Sequence, residues 1–257
     1  MSLGETPLGA CRIDGVRASL LIGDDGGPCL VVRFDAPCGA LSSGVVGGGF
    51  APACRAIVNR QVTKDYMADD PEAEMRAFLA RHGFADAEGA GGAAAPGGPP
   101  TLGMLTAAFV RDAGFAEREL ADSGRYVACW ATVGLGNAAR AGRAKAPAGG
   151  LFPGTINAVV VVDGGLAPGA YVGAACVAAE AKAAALADLA VRDPDDGGIA
   201  TGTTTDAVAI VATGRGAYAR YAGTATHVGH AVGRVVYDAV RDAAVRYLAY
   251  AAASGEK

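Results

Sequence analysis

Four polar, glycine-bearing clusters divide the second half of this 257-residue chain into apolar runs. They are Gly134-Leu135-Gly136-Asn137, Pro153-Gly154-Thr155-Ile156-Asn157, Ala200-Thr201-Gly202-Thr203-Thr204-Thr205-Asp206 and Gly223-Thr224-Ala225-Thr226. Each stands at the edge of a strand-like or helix-like run. Packing alone does not require Gly, Thr and Asn at the ends of elements. A backbone that approaches a ligand does, because glycine permits close approach and sites are built on loops held by rigid elements.

The runs between the clusters set the fold class. Residues 17–22 and 29–34 flank an Asp-Asp-Gly-Gly-Pro turn and read as a hairpin. Further strands are expected at 41–46, leading into Gly47-Gly48-Gly49, and at 56–62, 102–108, 114–120, 125–135, 156–163 and 207–212. Asp70, Pro71, Glu72 and Glu74 spell a helix start, and Gly83 a helix stop. Longer helices are expected at 169–190 and 225–252. In the last, Val228, Val232, Val235, Val236, Ala239, Val240 and Ala243 recur at helical spacing. Residues 85–100 are Gly, Pro and Ala without periodicity and read as a flexible surface loop. Together these elements predict a mixed α/β (α+β) fold, with 85–100 either a loop within one domain or a boundary between two. Its sheet is largely antiparallel, with a β-α-β-α section at 156–252 and helices packed on the sheet.

Composition narrows the function classes. Hydrophobic residues make up 51% and charged residues 19%, so the chain has enough apolar bulk for a core. A net charge of −4 leaves no basic footprint for nucleic acid and nothing to attract anionic lipid. No stretch reaches about 18 uninterrupted apolar residues, and no signal-peptide pattern opens the chain. The six cysteines form no CxxC pair, and read as reduced, mostly buried residues of a cytoplasmic protein. Self-association as a homo-oligomer is left open.

Several residues are candidates for chemistry. Asp206 stands at the mouth of the strand at 207–212 and suits a general base, or a cap of its own loop. The threonines around Gly202, with Thr203 and Thr205 foremost, suit an oxyanion nest or a plain strand edge. Asn137 and Asn157 follow turn-like glycines, and an Asn amide can donate to an oxyanion or satisfy local backbone. Glu180 and Lys182 are ~200° apart on their helix, so they cannot pair with each other. Burying either alone is costly, so one of them must face a partner or polar cavity; exposure suits Lys182 better than Glu180. His227 and His230 stand at i, i+3, but without a third ligand signal no metal site is expected. Ser42 and Ser43 are candidate nucleophiles or hydroxyls of a strand edge before a glycine turn; no His lies near them in sequence.

The order and wording of the clusters resemble the adenosylcobinamide amidohydrolase family. The segments carrying the resemblance are Gly134–Asn137, Gly154–Asn157, Glu180-Ala181-Lys182 with Ala185-Leu186, Thr201–Asp206 and Gly223–Thr226. Looser matches are Leu41-Ser42-Ser43, Gly47–Phe50, Asn59, Lys64-Asp65-Tyr66 and Gly103–Thr106. The chain departs from the family wording at Ala225, where a His is expected. Because the resemblance runs across 85–100, it implies a single domain over residues 1–257 with that segment as an insertion. The resemblance implies hydrolysis of the aminopropanol amide of adenosylcobinamide to adenosylcobyric acid, in cobinamide salvage for cobalamin synthesis. It implies Asp206 or Glu180 as base for a direct water attack, Asn157 and the Thr203/Thr205 region as oxyanion stabilisers, and Lys182 as electrostatic helper. Substrate contacts are then expected from Ser42, Ser43, Asn59, Gly136, Asn137, Thr155, Thr203, Thr205 and Thr224. The corrinoid is the substrate, and no resident cofactor or metal is expected. The competing readings are a non-catalytic corrinoid- or nucleotide-binding protein of the same fold, and a self-processing hydrolase with a threonine nucleophile.

Overall fold

The computed structural model describes residues 5–22, 27–84, 100–143 and 155–255. The expected flexible loop at 85–100 falls, apart from Pro100, outside the described residues. The strands are β1 (Glu5–Pro7), β2 (Val16–Ile22), β3 (Pro28–Ser42), β4 (Gly49–Gln61), β5 (Thr101–Thr106), β6 (Gly114–Glu119), β7 (Tyr126–Val133), β8 (Ala138–Ala139), β9 (Ile156–Val162), β10 (Gly165–Leu166), β11 (Gly202–Thr203), β12 (Ala207–Ala212) and β13 (Tyr218–Ala219). The helices are α1 (Pro71–Arg81), α2 (Pro168–Asp188) and α3 (His227–Ser254).

Local chemistry accounts for the helix boundaries. The Asp70 side chain accepts from Ala73 N at 2.9 Å and opens α1. Thr226 does the same for α3 through Gly229 N at 2.9 Å, and Gly255, at φ 71°, closes it in the left-handed conformation that glycine adopts without cost. Pro168 sits in the first turn of α2, where its missing N–H costs nothing.

Nine strands join in one curled sheet among the described residues, with path β1-β2-β3-β12-β9-β7-β6 and β4 and β5 branching from β3. The hairpin of β2 and β3 forms as expected, Val16 opposite Phe34. The mixed α/β class holds, but the sheet is mixed and not largely antiparallel. β4 and β5 run parallel, as do β9 and β12. Each parallel pair is joined through a helix, α1 or α2, which carries the chain back to the end where it started. The separate strand expected at 41–46 is instead the end of β3. Bulges between Arg33 and Ala40 bend this strand, so its first half pairs with β2 and its last four residues with β12.

The curl separates three cores. Ile57, Trp130, Val159 and Val211 pack inside it. Alternate residues of β9 (Ile156, Ala158, Val160 and Val162) face α2 and α3. Met75, Phe78 and Leu79 of α1 cover the other outer face with Val31 and Val58. β9 is therefore buried on both faces, which explains its unbroken apolar sequence. Close packing of α3 needs Gly114, where a Cβ would run into the Ala239 carbonyl. Each valine such as Val236 or Val240, fully buried in α3, contributes roughly 1.5–3 kcal/mol through removal from water. By length and composition α2 could cross a membrane. Here Ala170, Ala174, Val177, Ala178, Ala185 and Leu186 bury one face of it against the core.

Candidate functional site

β9 and β12 begin side by side, Asn157 opposite Ala207. The segments leading into them therefore meet at one end of the sheet. β8 pairs with β11, Ala138 opposite Thr203, and brings the Gly134–Asn137 cluster to the same place. Three of the four clusters thus converge. The fourth does not. Residues 213–226 follow the far end of β12, where Gly165 and Ala167 donate to the carbonyls of Ala217 and Ala219. Thr224 is exposed there, in the segment that follows the end of β12 opposite to the other three. The expected substrate contact at Thr224 is not available to this site, and its cluster caps α3 instead.

At the convergence, Asp206 is saturated with donors. Its Oδ1 accepts from Ile156 N at 3.0 Å and Thr203 Oγ1 at 2.5 Å. Its Oδ2 accepts from Thr203 N at 3.0 Å and from the Lys182 ammonium. The Lys182 and Asp206 side chains are 18% and 16% exposed, so the pair is largely withdrawn from water. Gly202 is required here, because a Cβ would overlap both Asp206 Oδ2 and Lys182 Nζ. Four donors occupy the acceptor positions of this carboxylate. The side chain therefore holds the loop and the lysine, and leaves little capacity to take a proton from water.

The helix phase reverses the expectation for α2. Lys182 turns toward the sheet with Ala178 and Leu186, whereas Glu180, ~200° away, is exposed and lines neither cavity at the site. Asn157 is likewise not placed as an oxyanion donor. Its Nδ2 spends both hydrogens, on Asn59 Oδ1 at 2.8 Å and Leu105 O at 2.9 Å. Asn59 Nδ2 continues the chain to Thr132 Oγ1 at 3.0 Å. Asn157, Asn59 and Thr132 are all buried, and tie β9, β4 and β7 together across the interior of the curl. Thr132 lies in an otherwise mostly apolar strand and carried no sequence signal. Only the cross-strand neighbours reveal it.

The remaining candidates sort by their bonds. Asn137 donates to Thr204 Oγ1 at 2.7 Å. The hydroxyls of Thr155 and Thr205 lie 2.7 Å apart. Gly136 is exposed, and a Cβ there would touch the Tyr247 hydroxyl. Ser42 is buried and its Oγ accepts from Gly44 N at 2.9 Å. Ser43 is exposed, and its Oγ accepts from Val208 N at 3.0 Å.

Two cavities flank Asp206. The larger, about 440 Å³, opens at the end of the curl among Tyr66, Met67, Leu105, Thr155, Thr205 and Asp206. The smaller, about 190 Å³, lies between the sheet and α2/α3, where Ala178, Val236 and Val240 make an apolar wall beneath Lys182. Ser43, Asp206 and Ala207 belong to both. Tyr66 is held by Glu74 Oε2 at 2.9 Å, and burial, with this bond, pushes its phenol up to about 12. Among the described residues no group of three or more His, Cys, Asp or Glu gathers to hold a metal ion.

Residues 18–252 match the family model for adenosylcobinamide amidohydrolase. The chain belongs to that family. The match spans all three converging clusters, Lys182 and the residues of the larger cavity, and the family is one of amidohydrolases. Comparison with curated proteins yields no match. Among solved structures the chain is similar to the PH0078 protein from Pyrococcus horikoshii OT3. Identity is 11% and the TM-score 0.42, with 87% of this chain and 78% of the other covered.

Proposed function

We propose that this amidohydrolase cleaves the amide joining aminopropanol to the corrin ring of adenosylcobinamide. The products are adenosylcobyric acid and aminopropanol, in a cytoplasmic cobinamide salvage route toward cobalamin. The observation that supports the reading is the Lys182–Asp206 pair, with Asp206 lining both cavities and Lys182 the smaller one, in a chain that matches the family across 18–252. A corrin macrocycle is larger than the 440 Å³ cavity, so this cavity takes the ring periphery and the amide-bearing side chain. Apolar lining from Val45, Val62, Met67 and Leu105 suits that flat, mostly neutral edge.

In this reading the amide end of the side chain passes Ser43, Asp206 and Ala207, which line both cavities, and meets the Lys182 ammonium on the smaller one, which stabilises the charge that develops on the amide oxygen. Asp206 holds the lysine in place. Thr155 and Thr205, on the wall of the larger cavity, hold the amide side chain. Binding without cleavage is the second reading. The full set of donors on Asp206 favours it, because a saturated carboxylate is a structural one. Incubation with adenosylcobinamide, followed by mass spectrometry, separates the two. Adenosylcobyric acid is the expected product. Corrinoid binding without that product overturns the hydrolase reading.

A further inference from the structure

Amide hydrolysis needs a nucleophile, and the carboxylates expected to activate water are poorly placed for it. Glu180 is exposed away from both cavities, and Asp206 is bonded to four donors. Most hydroxyls around the pair are committed. Thr203 Oγ1 donates to Asp206. Thr155 and Thr205 share one hydrogen bond. Thr204 receives Asn137 and lines neither cavity. Ser42 is buried beneath the turn that it caps.

Ser43 differs from all of these. It is exposed, and it lines both cavities at their junction beside Asp206 and Ala207. Its own backbone N–H donates to Val208 O at 3.0 Å, and Val208 N donates back to Ser43 Oγ at 3.0 Å. These two bonds fix the oxygen at the end of a rigid strand pair. Among the described residues no acceptor takes its proton. Lys182 lines the smaller cavity with it.

We propose that Ser43 is the nucleophile of the amide cleavage; this rests on the proposed hydrolase reading. Ser43 Oγ forms a bond to the amide carbon, and the carbon–nitrogen bond breaks. Lys182 gives one ammonium proton to the leaving nitrogen and takes the serine proton, so its charge is unchanged at the end. The amine leaves through the smaller cavity. Water then hydrolyses the serine ester, releasing the corrinoid acid and restoring the hydroxyl. Asp206 is a positioning residue in this scheme, acting through Lys182.

The test uses the full chain with two independent readouts. The first is adenosylcobinamide cleavage by wild type and Ser43→Ala, with corrinoid binding and melting temperature measured on both. The second is labelling of wild type by a fluorophosphonate probe, with the modified peptide located by mass spectrometry. The expected result is a loss of about 10³-fold or more in Ser43→Ala with binding retained, and a label on the peptide containing Ser43. Cleavage within about tenfold of wild type in Ser43→Ala overturns the proposal and leaves the hydrolase reading standing. A labelled Ser43 in a wild type that leaves adenosylcobinamide intact overturns the substrate and retains the nucleophile. Neither cleavage nor label overturns both.

Discussion

The Lys182 ammonium, near the end of α2, donates to Asp206 Oδ2 in the loop that opens β12. The pair joins the crossover helix to the strand it serves, with both side chains largely buried. Asp206→Asn puts an amide N–H where a carboxylate oxygen now meets two donors. It also leaves the lysine charge unpaired. Loss of one partner in a buried pair costs about 1–3 kcal/mol or more. A drop of roughly 4–8 °C in melting temperature is expected for about 2 kcal/mol, together with at least ~10²-fold loss of cleavage. Lys182→Met keeps three of the four bonds to Asp206. It should melt closer to wild type while losing as much activity. Equal melting of Asp206→Asn and wild type would show that the donor set is not stabilising.

Asn157 is a structural amide by its bonds, and its replacement tests that assignment. Asn157→Asp places a carboxylate against Leu105 O and Asn59 Oδ1, both acceptors. An unsatisfied buried charge of this kind should cost ~3 kcal/mol or more. Denaturant titration should show a lowered midpoint with an unchanged slope. A stable Asn157→Asp protein that has lost only activity would return Asn157 to the oxyanion role.

Asp193 anchors the loop between α2 and β11 and should make the fold acid-sensitive. Burial pushes its carboxyl up. The backbone N–H groups of Arg140 and Asp195, with the Arg143 guanidinium, outweigh this and hold it below its ordinary value. A lowered folded-state value means stability that is present above the unfolded carboxyl value, about 3.9, and lost as pH falls through the folded one. Asp193→Asn should therefore be less stable than wild type at pH 7, by about 1–3 kcal/mol. The gap should narrow below about pH 4. A constant gap from pH 7 to pH 3 would contradict this linkage.

The cysteines should separate by reactivity. Burial raises the thiols of Cys38 to about 11 and Cys54 to about 12, and raises Cys129 further. Cys176 is exposed on α2. Iodoacetamide at pH 8 should modify Cys176 in the native protein, and Cys38, Cys54 and Cys129 only after denaturation, because the thiolate is the reacting form. Peptide mass mapping reads the result directly. Rapid native labelling of Cys129 would place it outside the core.

The amino-acid sequence by itself determined the elements whose signals are local. Asp70 and Pro71 open α1, helical spacing marks α3, and the apolar runs at 156–163 and 207–212 are strands, because caps and periodicity act within a few residues. It also marked Asp206, Lys182 and the threonine loop. Tertiary structure decided what each of these faces. The early parallel pair of β4 and β5 depends on where a crossover returns the chain. The exchange of roles between Glu180 and Lys182 depends on which side of α2 meets the sheet. Separation of Thr224 from the site depends on its lying at the opposite end of β12. The roles of Asn157 and Thr132 depend on the curl that sets β4 and β5 across β7 and β9. These are contacts between residues far apart in sequence, from 24 positions for Lys182 with Asp206 to 98 for Asn59 with Asn157. Their geometry follows from how the sheet closes on itself, which no local pattern encodes.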